Sequence, residues 1–193
     1  MPARRHPRTS AKPRLLPGPS GAARLAVPAR SQRDTGAVIT SRDCPQLIAG
    51  VEISEGQIWP DDRGFFTELY RLPEGSGPMQ VSASLSYPGT IKAVHYHHHQ
   101  TDLWAPVQGQ FQMVLIDLRC KSPTFGRVNT VFAGEWQAWR LCIPPGVGHG
   151  YKVLGRGPGL MIYATDRFYD PEDEGRIAYD DGGLNYAWET QFR

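Results

Sequence analysis

Short apolar segments separated by turns fill the chain from about residue 47 onward. The pattern is clearest over residues 79–87, where apolar side chains at 81, 83, 85 and 87 alternate with serines at 82, 84 and 86. A period of two is typical of a β-strand with one buried face. No long stretch repeats its apolar residues at helical spacing. Many short strands divided by Gly and Pro turns predict an all-β sandwich or barrel.

The predicted strands follow one another closely, and no composition shift divides them into separate units. They cover residues 47–58, 65–72, 79–87, 91–96, 111–118, 128–132, 139–143, 150–154 and 160–164. A length of 193 residues also favours a single core. We therefore predict one domain, residues 45–193.

The first 44 residues differ in composition from the rest. Residues 1–33 contain eight Arg or Lys and no acidic residue, whereas the chain from Asp34 onward has 13 basic against 19 acidic residues, a net charge of −6. The sequence pI of about 8.5 thus reflects the N-terminal segment. A nucleic-acid arm or an organelle transit peptide would suit such a segment, but it lacks an amphipathic period. We predict a disordered tail over residues 1–44 and no nucleic-acid partner.

Other features of the composition indicate the cellular compartment of the protein. Cys44, Cys120 and Cys142 are odd in number and form no CxxC pair, which favours a reducing compartment. No apolar stretch is long enough for a membrane span or a secretory signal. We expect a cytoplasmic protein without a membrane partner.

Histidines supply the densest group of reactive side chains. His95, His97, His98 and His99 lie between Gly89 and Gly109, with Asp102 close behind. Along a strand His95 and His97 point to one face and His98 to the other. A distant His149 follows a Pro- and Gly-rich turn at 144–148. Inside a small barrel these side chains could surround one point.

A set of ordered motifs spans residues 50–188 and resembles the dTDP-4-dehydrorhamnose 3,5-epimerase family of cupins. The matching stretches are DRGFFTE at 62–68, Gln80, KAVHY at 92–96, DLR at 117–119, SPTFG at 122–126, IPPGVGHGY at 143–151, YATDRFY at 163–169 and DPE at 170–172. The resemblance implies a cupin barrel, also called a double-stranded β-helix or jelly roll. It also implies a homodimer, since these cupins commonly pair through exchanged strands.

The resemblance implies a reaction as well. The family removes a proton next to the C4 ketone of a nucleotide-linked 4-keto-6-deoxy sugar and returns one to the opposite face. His95 would be the base and Tyr163 the opposing acid, with no cofactor. The family positions that line the sugar-nucleotide site carry Arg63, Glu68, Gln80, Lys92, His149 and Tyr169. Lys92 stands where the family usually has Arg.

Two family features are replaced or missing in this sequence. Asp102 occupies the position of a lysine that lies near the enolate oxygen, and a carboxylate there would repel the enolate. The aspartate that pairs with the base histidine belongs to a C-terminal tail, and this chain has no counterpart after Trp188. The resemblance alone therefore leaves His95 without an orienting partner.

The same residues permit two other interpretations. His95, His97, Asp102 and His149 fit the spacing of a metal-binding cupin motif, with Asp for the usual Glu, and would suit Fe, Mn, Ni or Zn. Such a protein would be a metal-dependent isomerase, cyclase or oxygenase, with the metal acting as a Lewis acid. The third interpretation is a non-catalytic protein that binds a sugar nucleotide.

Overall fold

The computed structural model describes residues 12–71, 77 and 79–189, and these residues form β-strands joined by turns. The strands are β1 Arg14–Leu15, β2 Ala26–Val27, β3 Ala37–Val38, β4 Glu52–Glu55, β5 Trp59–Asp61, β6 Gly64–Phe66, β7 Gln80–Ser86, β8 Ile91–His97, β9 Asp102–Gln108, β10 Gln110–Asp117, β11 Val128–Gly134, β12 Trp139–Ile143, β13 Val147–Leu154, β14 Gly159–Thr165 and β15 Glu174–Arg176. The predicted all-β class is confirmed. No helix in these ranges is long and apolar enough to cross a membrane.

Two sheets make up the barrel. One has six strands in the order β15-β8-β13-β10-β11-β3, and the other has five in the order β4-β12-β9-β14-β7. The strands of both sheets pair antiparallel, except that β3 joins the edge of β11 in parallel. Apart from β10 and β11, neighbouring strands in these two sheets are not consecutive in sequence, which is the strand order expected of a double-stranded β-helix.

The core between the sheets follows from the alternation of side chains along β10. Phe111, Met113 and Leu115 are fully buried in the cluster that also holds Trp104 and Leu141. Val114 and Ile116 point to the opposite face of the six-stranded sheet, where they belong to a second cluster. Since both faces of β10 are covered, its residues 113–116 form a continuous apolar run at the centre of the fold.

The predicted disordered tail does not extend to residue 44. Leu25, Ala26 and Val27 are each 1% exposed, and Leu25 and Val27 pack in the second cluster. The amide of Ala26 donates to the carbonyl of Leu118, so the backbone of this segment is also paired. Composition predicted disorder because Pro and Arg surround a very short apolar run, yet those few residues cover a sheet face that would otherwise be exposed. Residues 1–11 of the predicted tail lie outside the described residues.

Several strand predictions are confirmed, and others are corrected. Strand β12 has the predicted bounds, and β10 differs from its prediction by one residue at each end. Strand β9 was not predicted, because Pro106 and the buried residues around it give no period of two. Within the predicted strand 47–58, only β4 forms. Of the predicted strand 65–72, only the first two residues are in a strand, as part of β6, and residue 72 lies outside the described ranges.

The faces of β7 are opposite to the usual arrangement. The period of two is present, but Val81 and Leu85 are about 60% exposed, while Ser86 is 3% exposed. Ser84 and Ser86 point into the barrel, and each lies within hydrogen-bonding distance of the Tyr151 hydroxyl, at 3.1 and 3.0 Å. The barrel interior is therefore polar at this edge, and the outer face of β7 is apolar.

Candidate active site

A cavity of about 270 Å³ opens between the two sheets. It is lined by the predicted site residues Gln80, Lys92, His95, His97, Asp102, His149, Tyr163 and Tyr169. The six-stranded sheet contributes the three histidines, because β8 and β13 are neighbours and His95 pairs directly with His149. The five-stranded sheet contributes Asp102 and Tyr163 from β9 and β14. With Gln80 on β7, the fold brings predicted residues from five strands to one place.

His95 has a carboxylate partner that the sequence did not indicate. Its Nδ1 lies 3.0 Å from Oε1 of Glu174, which stands on the short strand β15 beside β8. The same oxygen accepts a hydrogen bond from Nε of Arg176 at 2.8 Å. Burial lowers the pKa of His95, and the Glu174 carboxylate offsets this only in part. His95 is therefore held neutral near pH 7, with its Nε2 free for proton transfer when Nδ1 carries the hydrogen.

A second imidazole–carboxylate pair lies deeper in the cavity. Nε2 of His149 is 3.2 Å from Oδ2 of Asp102, and both side chains are almost fully buried. Asp102 also accepts hydrogen bonds from Nε2 of Gln100 at 2.7 Å and Nε1 of Trp104 at 3.3 Å. Burial opposes the charge of Asp102, but the His149 and His97 imidazoles and the hydrogen bond from Gln100 lower its pKa to about 2. Burial also opposes the charge of His149, whose pKa the Asp102 carboxylate nevertheless raises.

His97 stacks on this second pair. Its ring lies 5.5 Å from that of His149, with 24° between the ring planes. His97, Asp102 and His149 place one ligand atom each within 4.8 Å of one another, and His95 is not in that group. Of the four residues predicted as metal ligands, three therefore come together and the fourth pairs with Glu174.

The loop after His97 is fixed by an acidic side chain from the other end of the chain. Asp173 accepts hydrogen bonds from the backbone amides of His98, His99 and Gln100 at 2.9 to 3.1 Å. The His98 ring points away from the cavity, as its position in the strand predicts, and its Nε2 lies 3.0 Å from the carbonyl oxygen of Pro17.

Polar groups surround the mouth of the cavity. Nζ of Lys92 donates to Oγ of Ser84 at 2.6 Å, and the backbone amide of Tyr169 donates to Oε1 of Gln80 at 3.0 Å. Tyr163 is partly buried against the core on β14. The cavity therefore combines imidazoles, a phenol and an amine.

Arg63 and Glu68 do not line this cavity. Arg63 follows Asp61 at the turn of the β5–β6 hairpin, is 84% exposed and forms an ion pair with Asp61. Glu68 forms an ion pair with Arg71. The hairpin is a separate two-stranded sheet, so its position does not follow from the pairing of the main sheets.

Eight cavity residues were missed by the sequence analysis: Ser84, Gln100, Trp104, Tyr151, Met161, Thr165, Glu174 and Arg176. Trp104 lies two residues after Asp102, so the period of two would have found it if β9 had been recognised, whereas Gln100 precedes that strand. Glu174 and Arg176 lie on a strand of three residues and carry no local signal. The pair Glu174–His95 joins positions 79 residues apart, which only the folded topology reveals.

The antiparallel barrel and its histidine-lined cavity define a cupin. Residues 45–193 match the family model described as dTDP-4-dehydrorhamnose 3,5-epimerase, and the chain belongs to that family. The spore coat polysaccharide biosynthesis protein SpsL of Bacillus subtilis (strain 168) is 46% identical over 153 residues, covering 76% of this chain and 100% of that protein.

Solved structures agree with this assignment. A dTDP sugar isomerase from Desulfovibrio desulfuricans G20 superposes with a TM-score of 0.69 at 30% identity, covering 73% of this chain and 92% of that one. A dTDP-6-deoxy-D-glucose-3,5-epimerase from Legionella pneumophila Philadelphia 1, in complex with dTDP-4-keto-L-rhamnose, gives a TM-score of 0.64 at 31% identity and covers 72% and 78% of the two chains. The predicted cupin fold and the predicted family are confirmed.

Proposed function

We propose that this protein is an epimerase-type isomerase that acts next to the ketone of a nucleotide-linked, dTDP-type 4-keto-6-deoxy sugar. The product would serve deoxysugar, polysaccharide or secondary-metabolite biosynthesis. The observation that carries the proposal is the His95–Glu174 pair, with Nδ1 and Oε1 3.0 Å apart in a cavity that also holds Tyr163. The family, and the epimerases among its similar relatives, support it.

In the proposed reaction His95 and Tyr163 exchange protons with one carbon of the sugar. Glu174 accepts the Nδ1 hydrogen of His95, which leaves the Nε2 lone pair to remove a proton from the carbon beside the ketone. The electrons move onto the ketone oxygen to give an enolate. The Tyr163 hydroxyl then returns a proton to the opposite face of that carbon, and the ketone re-forms. Both groups are side chains, so the proton transfers need no cofactor.

Binding of the substrate is assigned to the mouth of the cavity. Lys92 supplies positive charge for the diphosphate, although an amine lacks the paired donors of a guanidinium. Gln80 and Tyr169 line the same cavity and supply polar contacts, whereas both ring nitrogens of His149, a family substrate position, already face Val147 and Asp102. A sugar nucleotide is a metabolite of the cytoplasm, where the three free cysteines would also remain reduced.

We further propose a homodimer in which Arg63 and Glu68 reach the cavity of the partner subunit. Two apolar surfaces support this. Phe65 and Phe66 on the hairpin are more than 60% exposed, and so is Leu85 on the outer face of β7. Exposed apolar patches of this kind mark interaction surfaces. Light scattering should give twice the mass of the 21.5 kDa chain, and Leu85→Lys should shift the protein toward monomer.

The function is tested by proton exchange. The full chain, purified without a nickel column, is incubated with a dTDP-4-keto-6-deoxyhexose in heavy water. Deuterium should enter C3 or C5, as detected by NMR and mass spectrometry. Tyr163→Phe should still exchange the proton but form less of the epimer, because the base is intact and the opposing acid is lost. Tight binding without exchange at either carbon would instead indicate a non-catalytic sugar-nucleotide-binding protein.

A further inference from the structure

Three buried side chains converge on one point behind the proposed base. His97, Asp102 and His149 are 7%, 5% and 3% exposed and come from the three strands β8, β9 and β13. Their ligand atoms lie within 4.8 Å of one another. All three also line the cavity, so the group is closed by protein on one side and open to the substrate space on the other.

The contact between His149 and Asp102 needs a positive species. Nδ1 of His149 lies 2.9 Å from the carbonyl oxygen of Val147, and donation to that oxygen leaves a lone pair on Nε2. That lone pair faces Oδ2 of Asp102 at 3.2 Å. Two lone pairs at this distance repel each other unless a proton or a metal cation is shared between them.

His97 can direct a lone pair to the same point. Its Nε2 is 3.9 Å from Oδ1 of Asp102, while its buried Nδ1 has no hydrogen-bond partner and faces Oδ2 of Asp173 at 3.9 Å. A hydrogen on Nδ1 would be attracted by the Asp173 carboxylate and would leave Nε2 free to bind. Paired outer groups of this kind orient imidazole ligands.

Neighbouring donors already hold Asp102 in place. Nε2 of Gln100 donates to Oδ1, and Nε1 of Trp104 donates to Oδ2. The same Gln100 nitrogen is 3.2 Å from Nε2 of His97, so this contact must open for His97 to turn toward a cation. A carboxylate held by two neutral donors keeps its negative charge available.

We propose that His97, Asp102 and His149 bind one divalent transition-metal ion, of the class of Zn, Fe, Mn, Co or Ni. Two imidazole nitrogens and one carboxylate oxygen are a donor set that these ions accept. Metal bonds of about 2.0–2.2 Å bring neighbouring ligand atoms to about 3.0–3.5 Å, so the His149–Asp102 separation of 3.2 Å already fits and the wider spacing, up to 4.8 Å, requires the His97 ring to move inward. His95 is not a ligand, so it remains free to act as a base.

A metal at this site would also explain why an aspartate, Asp102, stands at the position of the family's lysine. A cation held on the open side of the group could polarise a ketone oxygen, which is the task of the lysine that the family has at this position. This use rests on the proposed epimerase function, whereas binding of the metal does not.

Metal binding can be measured on the full chain without any sugar nucleotide. Protein purified without a nickel column is analysed by mass spectrometry for bound metals, stripped with a chelator, and titrated with Zn²⁺ and Mn²⁺ by calorimetry. Co²⁺ provides an independent readout, because its visible absorption reports nitrogen and oxygen coordination. We expect one equivalent per chain, and at least a 100-fold loss of affinity in Asp102→Asn.

Two further variants separate loss of a ligand from loss of the fold. Asp102→Glu retains a carboxylate and should recover binding, while His98→Gln removes a neighbouring histidine that points away from the cavity and should bind as the wild type does. Absence of stoichiometric binding, or equal loss in Asp102→Asn and His98→Gln, would overturn the site. A failed deuterium exchange would overturn the proposed function and leave this measurement unaffected.

Discussion

The cavity contains two imidazole–carboxylate pairs that differ in what else each carboxylate contacts. Glu174 contacts Nδ1 of His95 and also accepts a hydrogen bond from the Arg176 guanidinium. Asp102 contacts Nε2 of His149, and it accepts its other hydrogen bonds from the neutral side chains of Gln100 and Trp104. Nearly the same chemical pair has opposite outcomes: burial lowers the pKa of His95 more than Glu174 raises it, whereas Asp102 raises the pKa of His149 despite its burial.

This difference suits the two pairs to different tasks. A base must be neutral to accept a proton, and sharing Glu174 with Arg176 limits how strongly the carboxylate favours the charged imidazole. A buried cation site needs an undivided negative charge, which Asp102 provides because no Lys or Arg among the described residues forms an ion pair with it. The contrast between a shared and an unshared carboxylate can be tested by changing each member separately.

Replacement of His95 should have the largest effect. His95→Asn removes the base, and we expect deuterium exchange to fall by about 10²–10⁴-fold. His98→Gln is the matched control, because that ring lies outside the cavity against Pro17. Exchange at the wild-type rate in His95→Asn would remove His95 from the mechanism.

Removal of the deeper carboxylate should mainly affect stability. Asp102→Ala leaves His149 buried without its partner, and breaking such a pair costs about 3–5 kcal/mol. Urea unfolding of metal-free protein measures this loss. Glu174→Ala should cost less, about 1 kcal/mol, because His95 and Arg176 are both partly exposed to water. Equal losses in the two variants would remove the distinction between the pairs.

Neutralising the outer carboxylate should slow the reaction without unfolding the protein. Glu174→Gln can still occupy the space but stabilises the imidazolium less, so we expect kcat to fall by about 10- to 10³-fold, with a much smaller change in KM. Glu174→Asp should restore part of the rate, since it retains the charge. A change confined to KM would make Glu174 a substrate contact and not an orienting group.

The smallest expected effect is a shift in the pH profile, which tests the pKa of His95 directly. Because burial holds the pKa of His95 below its ordinary value of 6.5, kcat/KM should rise as the pH increases through that lowered pKa and then level off. Glu174 raises this pKa, so Glu174→Gln should move the acid limb to still lower pH. Glu172→Gln, on an exposed neighbour, should leave the profile unchanged. Movement of the limb to higher pH in Glu174→Gln would contradict the assignment.

Local patterns predicted what depends on neighbouring residues in the chain. The alternation of β7, the bounds of β12 and the opposite orientations of His95 and His98 all follow from a period of two. Motif spacing placed His97, Asp102 and His149 in one predicted set with His95, and the structure brings the first three together while His95 pairs with Glu174 instead.

Other features depend on contacts between distant parts of the chain. Glu174 reaches His95 only because β15 adds to the edge of β8, and a strand of three residues has no periodicity to detect. The outward apolar face of β7 could not be assigned either, because alternation gives two faces without saying which is inside. The packing of Leu25 and Val27 was also missed. Two apolar residues in a Pro- and Arg-rich segment give no periodic pattern, and their burial depends on the sheet face that they contact.

The N-terminal and C-terminal segments meet on one side of the barrel. Arg30 donates to the carbonyl of Leu184, and the amide of Ala187 donates to the carbonyl of Asp34. A gene trimmed to the 45–193 family match would lose Leu25 and Val27, the partners of Leu184 on this side. Recombinant versions for the experiments above should therefore begin no later than residue 12, and purification tags at either terminus would need to be checked for effects on solubility.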